Sequence, residues 1–582
     1  MVRVQRWTWN IQTPTPEIGE VKVKGVTMKH QKLWKKVVSC MLASIMAVSC
    51  LVGCGEQNQE ESKTPSSQEK TEVSQPTSES KEPDLELGYP IKDDVTLTIA
   101  WPVEAAVTAH AADLSETAFG KEWQERTGVN IEIVSYADAS ALNMLLSSGE
   151  LPDIIYGNLN SYPGGAAGAV EDGLIQPIND YMQYAPDLQA VFDEDESVYR
   201  DSMTGNGDII GFLHIRPGKL TDLVLNGLLV RNDWLDELKL KAPTNADELY
   251  NVLKAFKEEK GVKHPLTGTG GMINRLVSAG IITSPFNLPM ADFHNMDGEI
   301  HYGYYEDEMK DVLAYMNKLV EEELLNPNYA TLDNNAVTAD MLNGVSGMAM
   351  AQGSRAYIWY NGGREVNPEY DIVAIPSLQT PDGQLGMGAS YDKRLSGNGA
   401  YITTDCENIE AAVRLLNYGY TDEGALLFHD GIEGINYEVD AEGYQVHMDG
   451  TSVHPDWTSA EINGYYKRGW AHGPYIMREV YPERIDENTA RMYAAKEEFA
   501  KTQVSDYVLP TLQNYMSYED AQEISKLMAE IETYKSEMVT KFILGTESLD
   551  NFEEFQKTMK DMGIEKVIEI YQKAYSLFDA NK

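Results

Sequence analysis

The chain has 582 residues, of which 42% are hydrophobic and 24% charged, and this composition excludes disorder along the whole chain and a polytopic membrane protein. Its length exceeds what one hydrophobic core usually serves, so two or more domains are expected. The formal net charge of −44 argues against a nucleic-acid partner, because such a surface repels phosphate backbones, and four cysteines are too few for a disulfide scaffold.

The first 54 residues have the layout of a secretion signal. A basic segment over residues 28–36 precedes an apolar stretch over residues 37–49, which is too short to cross a bilayer comfortably. The sequence Leu51-Val-Gly-Cys54 follows, and it resembles the lipobox of bacterial lipoproteins, in which the cysteine carries the lipid. We therefore predict lipidation of Cys54, translation from Met28 and a signal region over residues 1–53. The alternative is a plain signal peptide followed by an incidental cysteine.

Residues 54–88 are rich in Ser, Glu, Gln and Pro and contain few apolar side chains. Such a segment cannot bury enough surface to offset the entropy of ordering it, so it is predicted to be a disordered tether. A lipid-anchored chain on a tether is expected at the extracellular face of the bacterial cell membrane.

Short apolar strands alternate with helical segments beyond the tether. Strands are predicted over residues 95–100, 129–134 and 151–156, and the helix before the second strand is expected to end at Gly128. This spacing is typical of βαβ units with a parallel sheet, in which ligands lie beyond the carboxyl ends of the strands. Four side chains follow the first and third strands and are predicted to face a ligand: Trp101, Asn158, Asn160 and Tyr162.

A second α/β unit begins near residue 223, where a strand leads into a helix. Thr244 is the predicted N-cap of the next helix, with Asp247 three residues later as a near capping box. The remaining predicted elements are a helix over 306–325, strands at 370–376 and 399–403, a helix over 409–420 and mainly helix from 484 to 578.

Five sequence blocks together resemble one known family. They are the lipobox with its tether and the segments at residues 119–132, 146–154, 230–250 and 418–437. These blocks are similar, in the same order, to those of the extracellular solute-binding proteins of bacterial ABC sugar importers (family 1), in the large lipoprotein branch near the alginate-binding members.

The resemblance implies an α/β fold of the periplasmic-binding-protein type, with two lobes joined by crossing strands and a ligand cleft between them. It places residues 89–222 and 347–398 in the first lobe and residues 223–346 and 399–582 in the second. The implied function is to capture an oligosaccharide and deliver it to ABC permease subunits in the membrane. The protein is expected to be a monomer that binds no nucleic acid.

The resemblance also directs attention to particular side chains. Gln352, Arg355 and Trp359 belong to a segment that lines the cleft in relatives, and Glu433 belongs to a block similar to a cleft-lining loop. Arg394 could pair with the carboxylate of a uronate, although a solvated loop pair with its neighbour is the alternative. Further aromatic rings in glycine-rich contexts are candidates for stacking on a sugar, with core packing as the alternative: Tyr391, Tyr437 and Trp470.

Motifs for catalysis or a cofactor are missing from the sequence. It has no Gly-x-Ser-x-Gly elbow, no His-Glu-x-x-His and no Walker loop, so neither a cofactor nor a catalytic residue is predicted. Thr204 stands where relatives carry the first aspartate of a turn near a calcium site, which removes a carboxylate ligand, and no metal is predicted. The open alternatives are a surface enzyme that degrades glycans, or the same binding fold serving a peptide ligand or a membrane sensor.

Overall fold

The computed structural model describes residues 87–580, except 220–222, 381–392, 449, 451, 470–471, 479–482 and 503–504. The predicted signal region and all but the last two residues of the predicted tether lie outside the described residues, as do Cys54, Tyr391 and Trp470. In the part that is described, no helix combines the length and the apolar character needed to cross a membrane.

The strands are, in chain order, β1 Val95–Pro102, β2 Val129–Tyr136, β3 Ile154–Gly157, β4 Phe212–Ile215, β5 Asn226–Arg231, β6 Leu266–Thr267, β7 Phe293–Met296, β8 Glu299–Tyr302, β9 Met348–Gln352, β10 Ile372–Ile375, β11 Leu395–Ile402, β12 Tyr437–Val439 and β13 Gln445–His447. The helices are α1 Ala105–Thr108, α2 Ala118–Thr127, α3 Ala139–Leu146, α4 Gly165–Glu171, α5 Pro186–Glu194, α6 Glu196–Asp201, α7 Asn232–Leu238, α8 Ala246–Glu259, α9 Gly270–Ser278, α10 Met309–Glu321, α11 Asn334–Leu342, α12 Arg355–Arg364, α13 Ile409–Asn417, α14 Asp422–His429, α15 Ser459–Tyr466, α16 Glu487–Ala500, α17 Tyr518–Ile543, α18 Phe552–Met562 and α19 Ile564–Ala580.

The first lobe is built on a five-stranded sheet with the order β2-β1-β3-β11-β4. β1 is parallel to β2 and β3, whereas β11 is antiparallel to both β3 and β4. The predicted βαβ start is confirmed, and α2 ends at Gly128, whose φ of 76° is the left-handed conformation that glycine adopts most readily. Phe119 and Trp123 of α2 are buried in the core beside the sheet.

The second lobe is built on a four-stranded sheet with the order β10-β5-β9-β6. Every residue of β5 is buried, as expected of a strand covered on both faces. The C-terminal helices close this lobe, since Phe542 of α17 and Phe555 of α18 belong to the same hydrophobic core as Trp234 and Phe256. The α/β two-lobe fold that the resemblance implied is therefore present.

The strand pairing departs from the predicted lobe boundaries. β9 and β10 lie within residues 347–398, which were predicted for the first lobe, yet both pair with β5 in the second sheet. β11 pairs in the first sheet, and α13 and α14 contribute to the first core, although residues from 399 onward were predicted for the second lobe. The chain passes between the lobes after β4, after β10 and again between Met477 and α16.

The start of α8 lies one residue beyond the prediction. Asn245, not Thr244, is the N-cap, because its side-chain oxygen accepts a hydrogen bond from the backbone N–H of Glu248 at 2.9 Å. The Glu248 carboxylate reaches back to accept from the backbone N–H of Thr244 at 2.8 Å and from its hydroxyl at 2.9 Å. The predicted N-cap is therefore wrong by one residue, and the carboxylate that reaches back belongs to Glu248 rather than Asp247 and bonds Thr244 rather than the N-cap.

Candidate functional site

A cavity of about 590 Å³ lies between the two lobes. The first lobe contributes Asn160, which follows β3, and the beginning of β11. The second lobe contributes Phe293 and the preceding residues, together with Tyr571 of α19, and residues 508–514 complete the lining. A cavity of this size between two lobes is within the range of small-molecule binding sites.

The second-lobe wall presents two stacked aromatic rings. Phe293, at the start of β7, lies 4.4 Å from the ring of Tyr571, with 16° between the ring planes. The buried ring of Tyr302 packs behind Phe293, also at 4.4 Å, which fixes the pair from the protein side. The result is an apolar aromatic stack in the cavity wall, here called the aromatic platform, which can contact the C–H groups of a ring in a ligand.

The first-lobe wall carries charged groups that are bonded within the protein. The ammonium of Lys393 donates to the Pro510 carbonyl oxygen at 2.9 Å, and the guanidinium of Arg216 donates to the Lys393 carbonyl oxygen at 3.2 Å. Asp201 accepts from the backbone N–H of Thr511 at 3.2 Å. Burial raises the pKa of Asp201 and lowers the pKa of Lys393, while the attraction between the two charges opposes both shifts. These groups hold residues 508–514 against the first lobe.

Asp292 faces the cavity beside the aromatic platform. Its carboxylate forms no hydrogen bond or ion pair with any described residue, yet it lies within the cavity wall. Water reaches this group through the cavity while protein surrounds it on the other sides, and this desolvation raises the pKa of Asp292 to about 6. Lys535 and Arg275 oppose the rise, whereas Glu532 adds to it. The Asp292 carboxylate is therefore an acceptor in the cavity wall that is open to a ligand.

Among the predicted site residues that the structure describes, Asn160 lines the cavity. The side-chain oxygen of Asn158 accepts from the backbone N–H of Asn160 at 2.8 Å, which orients the loop after β3. Both side-chain amides adjoin Gly397 of β11, where a Cβ atom would come within 3.1 Å of Asn158 and 3.4 Å of Asn160. Glycine thus lets the two segments meet at the cavity edge.

The other rings predicted after β1 and β3 serve local packing. Trp101 is 2% exposed, stacks on Tyr156 at 3.9 Å and donates its indole N–H to Glu104 at 2.8 Å. Tyr162 donates its hydroxyl to Asp172 at 2.6 Å. Neither residue lines the cavity.

The segment around β9 does not supply the cavity wall that the resemblance implied. Trp359 is 1% exposed, because α12 turns its ring into a hydrophobic core where the indole N–H donates to the Thr338 hydroxyl at 3.1 Å. Gln352 is exposed at the end of β9, and Arg355 is half-buried at the start of α12. All three residues lie outside the cavity lining.

The remaining predicted ligand residues are also elsewhere. Arg394 forms an ion pair with Asp195 and donates to the Arg216 carbonyl oxygen at 3.2 Å, so its charge is already neutralised by a carboxylate of the protein. Glu433 is exposed on a loop, and Tyr437 is buried at the start of the β12–β13 hairpin. None of these side chains lines the cavity.

The turn at Thr204 is held by its own hydrogen bonds. The Thr204 hydroxyl oxygen accepts from the backbone N–H groups of Asn206 and Asp208, each at 3.2 Å. Over the described residues, no group of three or more His, Cys, Asp or Glu side chains is arranged to hold a metal ion.

Sequence reasoning missed Phe293, Tyr571 and Asp292, which form the second-lobe wall. Asp292 immediately precedes the short β7–β8 hairpin and Phe293 begins it, while Tyr571 lies on an amphipathic helix, where an aromatic residue is typical of core packing. No local pattern links them, because they come together only when α19 packs beside the β7–β8 hairpin.

Comparisons with known proteins agree with this architecture. The family profile for bacterial extracellular solute-binding proteins matches residues 110–426. Lipoprotein LipO of Bacillus subtilis (strain 168) is 25% identical over 332 residues, which cover 55% of this chain and 64%, less than two thirds, of LipO. The fructooligosaccharide ABC transporter substrate-binding protein FusA of Streptococcus pneumoniae serotype 4 is 24% identical over 530 residues, covering 85% of this chain and 92% of FusA.

Solved structures share the fold. The alginate-binding protein AlgQ2, crystallised without calcium, superposes with a TM-score of 0.62 at 22% identity, over 84% of this chain and 99% of AlgQ2. An extracellular solute-binding protein from Bifidobacterium longum subsp. infantis gives a TM-score of 0.68 at 20% identity, over 83% of this chain and 98% of the other. Since the family profile matches more than half of the chain, the chain belongs to the bacterial extracellular solute-binding proteins.

Proposed function

We propose that the chain is the substrate-binding component of an ABC importer and that it binds an oligosaccharide in the cavity between its lobes. The observation that carries this proposal is the stacked pair Phe293–Tyr571, which lines the same cavity as Asn160. Flat rings cover the C–H faces of sugar rings, while amides and carboxylates take the hydroxyls. FusA, which is named as a fructooligosaccharide-binding protein, supports the choice of ligand class.

A matched pair of tyrosine variants tests the site. Tyr571→Leu removes one ring of the platform, whereas Tyr534→Leu removes a half-buried tyrosine of the same lobe that stacks on Phe555 and does not line the cavity. Losing the contact of one large side chain is worth about 1–3 kcal/mol. We therefore expect roughly 5- to 150-fold weaker binding for Tyr571→Leu and wild-type affinity for Tyr534→Leu.

The measurement is calorimetric titration of both variants with the oligosaccharide that the wild-type protein binds. Equal affinities of the two variants would contradict the proposed site. Release of new reducing ends from the oligosaccharide would instead favour the glycan-degrading alternative.

The proposal includes anchoring at the extracellular face of the cell membrane through lipid on Cys54, with delivery of the ligand to permease subunits. It is supported by the lipobox-like sequence and by the relative named as a lipoprotein. Replacing the cysteine, Cys54→Ser, is expected to move the protein from the membrane fraction to the medium or to leave it unprocessed. Processing with unchanged membrane attachment would contradict the lipid anchor.

A further inference from the structure

The positive charges near the cavity are engaged by the protein itself. Lys393 donates to the Pro510 carbonyl oxygen and faces Asp201, and Arg216 donates to the Lys393 carbonyl oxygen. Arg394, the residue predicted to meet a ligand carboxylate, is paired with Asp195. Each of these cations therefore already has a partner within the protein.

In contrast to these cations, the Asp292 carboxylate is available to bind a ligand. Its carboxylate has no hydrogen-bonding partner among the described residues and lines the cavity next to Phe293. The nearby cation Lys535 is already paired with Glu532, at 2.6 Å, and Arg275 is the other cation that acts on Asp292. The carboxyl thus presents acceptor oxygens to the ligand beside the aromatic platform.

The polar groups packed around Asp292 are mostly uncharged or acidic. The carbonyl oxygen of Asp292 itself lies 2.9 Å from the ring nitrogen Nδ1 of His294, and the Tyr302 hydroxyl donates to Glu532 at 2.9 Å. Burial lowers the pKa of His294 to about 4, which keeps this imidazole neutral near pH 7. Tyr304 and Tyr571 complete the surroundings, and burial raises the pKa of both phenols.

We propose that the cavity selects an oligosaccharide without acidic groups, neutral or amino-bearing, and that Asp292 accepts hydrogen bonds from its hydroxyls or ammonium groups. This inference rests on the proposed function and narrows it. An ionised carboxylate only accepts hydrogen bonds, and its two oxygens can take two hydroxyls of one sugar ring. A uronate would instead place a second carboxylate near Asp292 in a partly desolvated site, where like charges repel strongly.

The decisive experiment titrates the full-length protein, in mild detergent, with three sets of oligosaccharides at pH 7.5. The neutral set contains fructo-, malto-, galacto- and xylo-oligosaccharides, the amino set contains oligomers of glucosamine, and the acidic set contains oligogalacturonates and alginate oligomers. We expect binding from the neutral or amino set and none from the acidic set. Comparable or tighter binding of an acidic oligomer would overturn the inference while leaving the proposed function intact, whereas a protein that binds no member of any set would overturn the proposed function.

A matched pair of acid-to-amide variants tests the role of Asp292. Asp292→Asn keeps the shape but removes the charge, and Glu299→Gln removes an exposed charge of the same hairpin outside the cavity. Loss of a charge-assisted hydrogen bond should weaken binding about tenfold for the first variant and leave the second unchanged. Wild-type affinity in Asp292→Asn would overturn the assignment of this residue.

The pH dependence of binding provides a readout that a merely structural role would not move. Because burial raises the pKa of Asp292 to about 6, the group is ionised at pH 7.5 and largely protonated at pH 5. Wild-type affinity should therefore fall between pH 7.5 and pH 5, and the Asp292→Asn affinity should change much less. Parallel pH profiles for the two proteins would contradict the proposal.

Discussion

His214 is a buried imidazole without hydrogen-bonding partners among the described residues. Its ring in β4 is fully buried beside Tyr475, at 4.8 Å, and neither ring nitrogen has a hydrogen-bonding partner among the described residues. Burial lowers the pKa of His214 to about 3, and the nearby Arg216 adds to the shift. Between pH 6.5 and pH 3 the unfolded chain binds a proton that the folded protein does not, so stability falls as the pH falls through this window.

Replacing this imidazole should flatten the pH dependence of stability. In His214→Phe a ring of similar shape remains, but the group that titrates only in the unfolded chain is gone. At about 1.4 kcal/mol per pH unit below 6.5, the wild type should lose about 2 kcal/mol more than the variant between pH 7.5 and pH 5. Urea unfolding at the two pH values measures the difference, and equal losses would show that His214 is protonated in the folded protein.

Asp292 acts in the opposite direction on the stability of the ligand-free protein. Its pKa is raised from 3.8 to about 6, so the folded protein binds the extra proton and is stabilised as the pH falls from 6 towards 3.8. The lowering of the His214 pKa spans more pH units than the rise of the Asp292 pKa. The lowered pKa of His294 acts on stability in the same direction as that of His214. These three groups together therefore favour a protein that is more stable at neutral than at acidic pH.

Local patterns in the sequence were sufficient to locate several elements. The alternation in β1 and β2 and the glycine at position 128 are signals carried by a few adjacent residues, and both strands and the helix end are confirmed. The apolar periodicity over 306–325 corresponds to α10, Met309–Glu321. Such signals survive because they depend on the backbone preferences of neighbours rather than on distant contacts.

The pairing of strands and the orientation of helices could not be predicted from such local signals. β9 carries a run of four buried residues that suits the interior of either sheet, and only its pairing with β5 and β6 assigns it to the second lobe. Likewise, the sequence does not distinguish a helical tryptophan that packs in the core from one that contacts a ligand, because its neighbours in the fold are unknown. Trp359 was predicted to face the ligand and lies in the core instead.

The orientation of α12 predicts that Trp359 contributes to stability rather than to ligand binding. Its ring fills a core of the second lobe together with Tyr370 and Phe499, so Trp359→Ala leaves a large void. A change of this kind costs about 3–5 kcal/mol of stability. We expect a marked drop in the free energy of unfolding, measured in urea, and little change in the affinity of the folded protein for its ligand. A variant with normal stability and weak binding would restore the original prediction of a ligand-stacking ring.

At the scale of the molecule, residues 508–516 tie the lobes together independently of a ligand. The hydroxyl of Tyr515 donates to the Arg200 carbonyl oxygen at 2.8 Å, and Thr511 donates to Asp201, which attaches this segment to α6 of the first lobe. Leu512 and Tyr515 also share a hydrophobic cluster with α19 of the second lobe. One side of the cleft is therefore fixed, and movement between the lobes should pivot about this segment.

Ligand binding should accordingly compact the protein. Asn160 and the Phe293–Tyr571 platform stand on different lobes, so a sugar that contacts both favours the arrangement in which the lobes are close. At a ligand concentration of about 100 times Kd, binding to the folded state alone adds about 2.7 kcal/mol of stability. We expect a higher melting temperature together with a smaller radius of gyration in small-angle scattering, and both changes should shrink in Tyr571→Leu at the same ligand concentration. A raised melting temperature with an unchanged radius would mean that the ligand binds one lobe only, and that the cavity between the lobes is not the site.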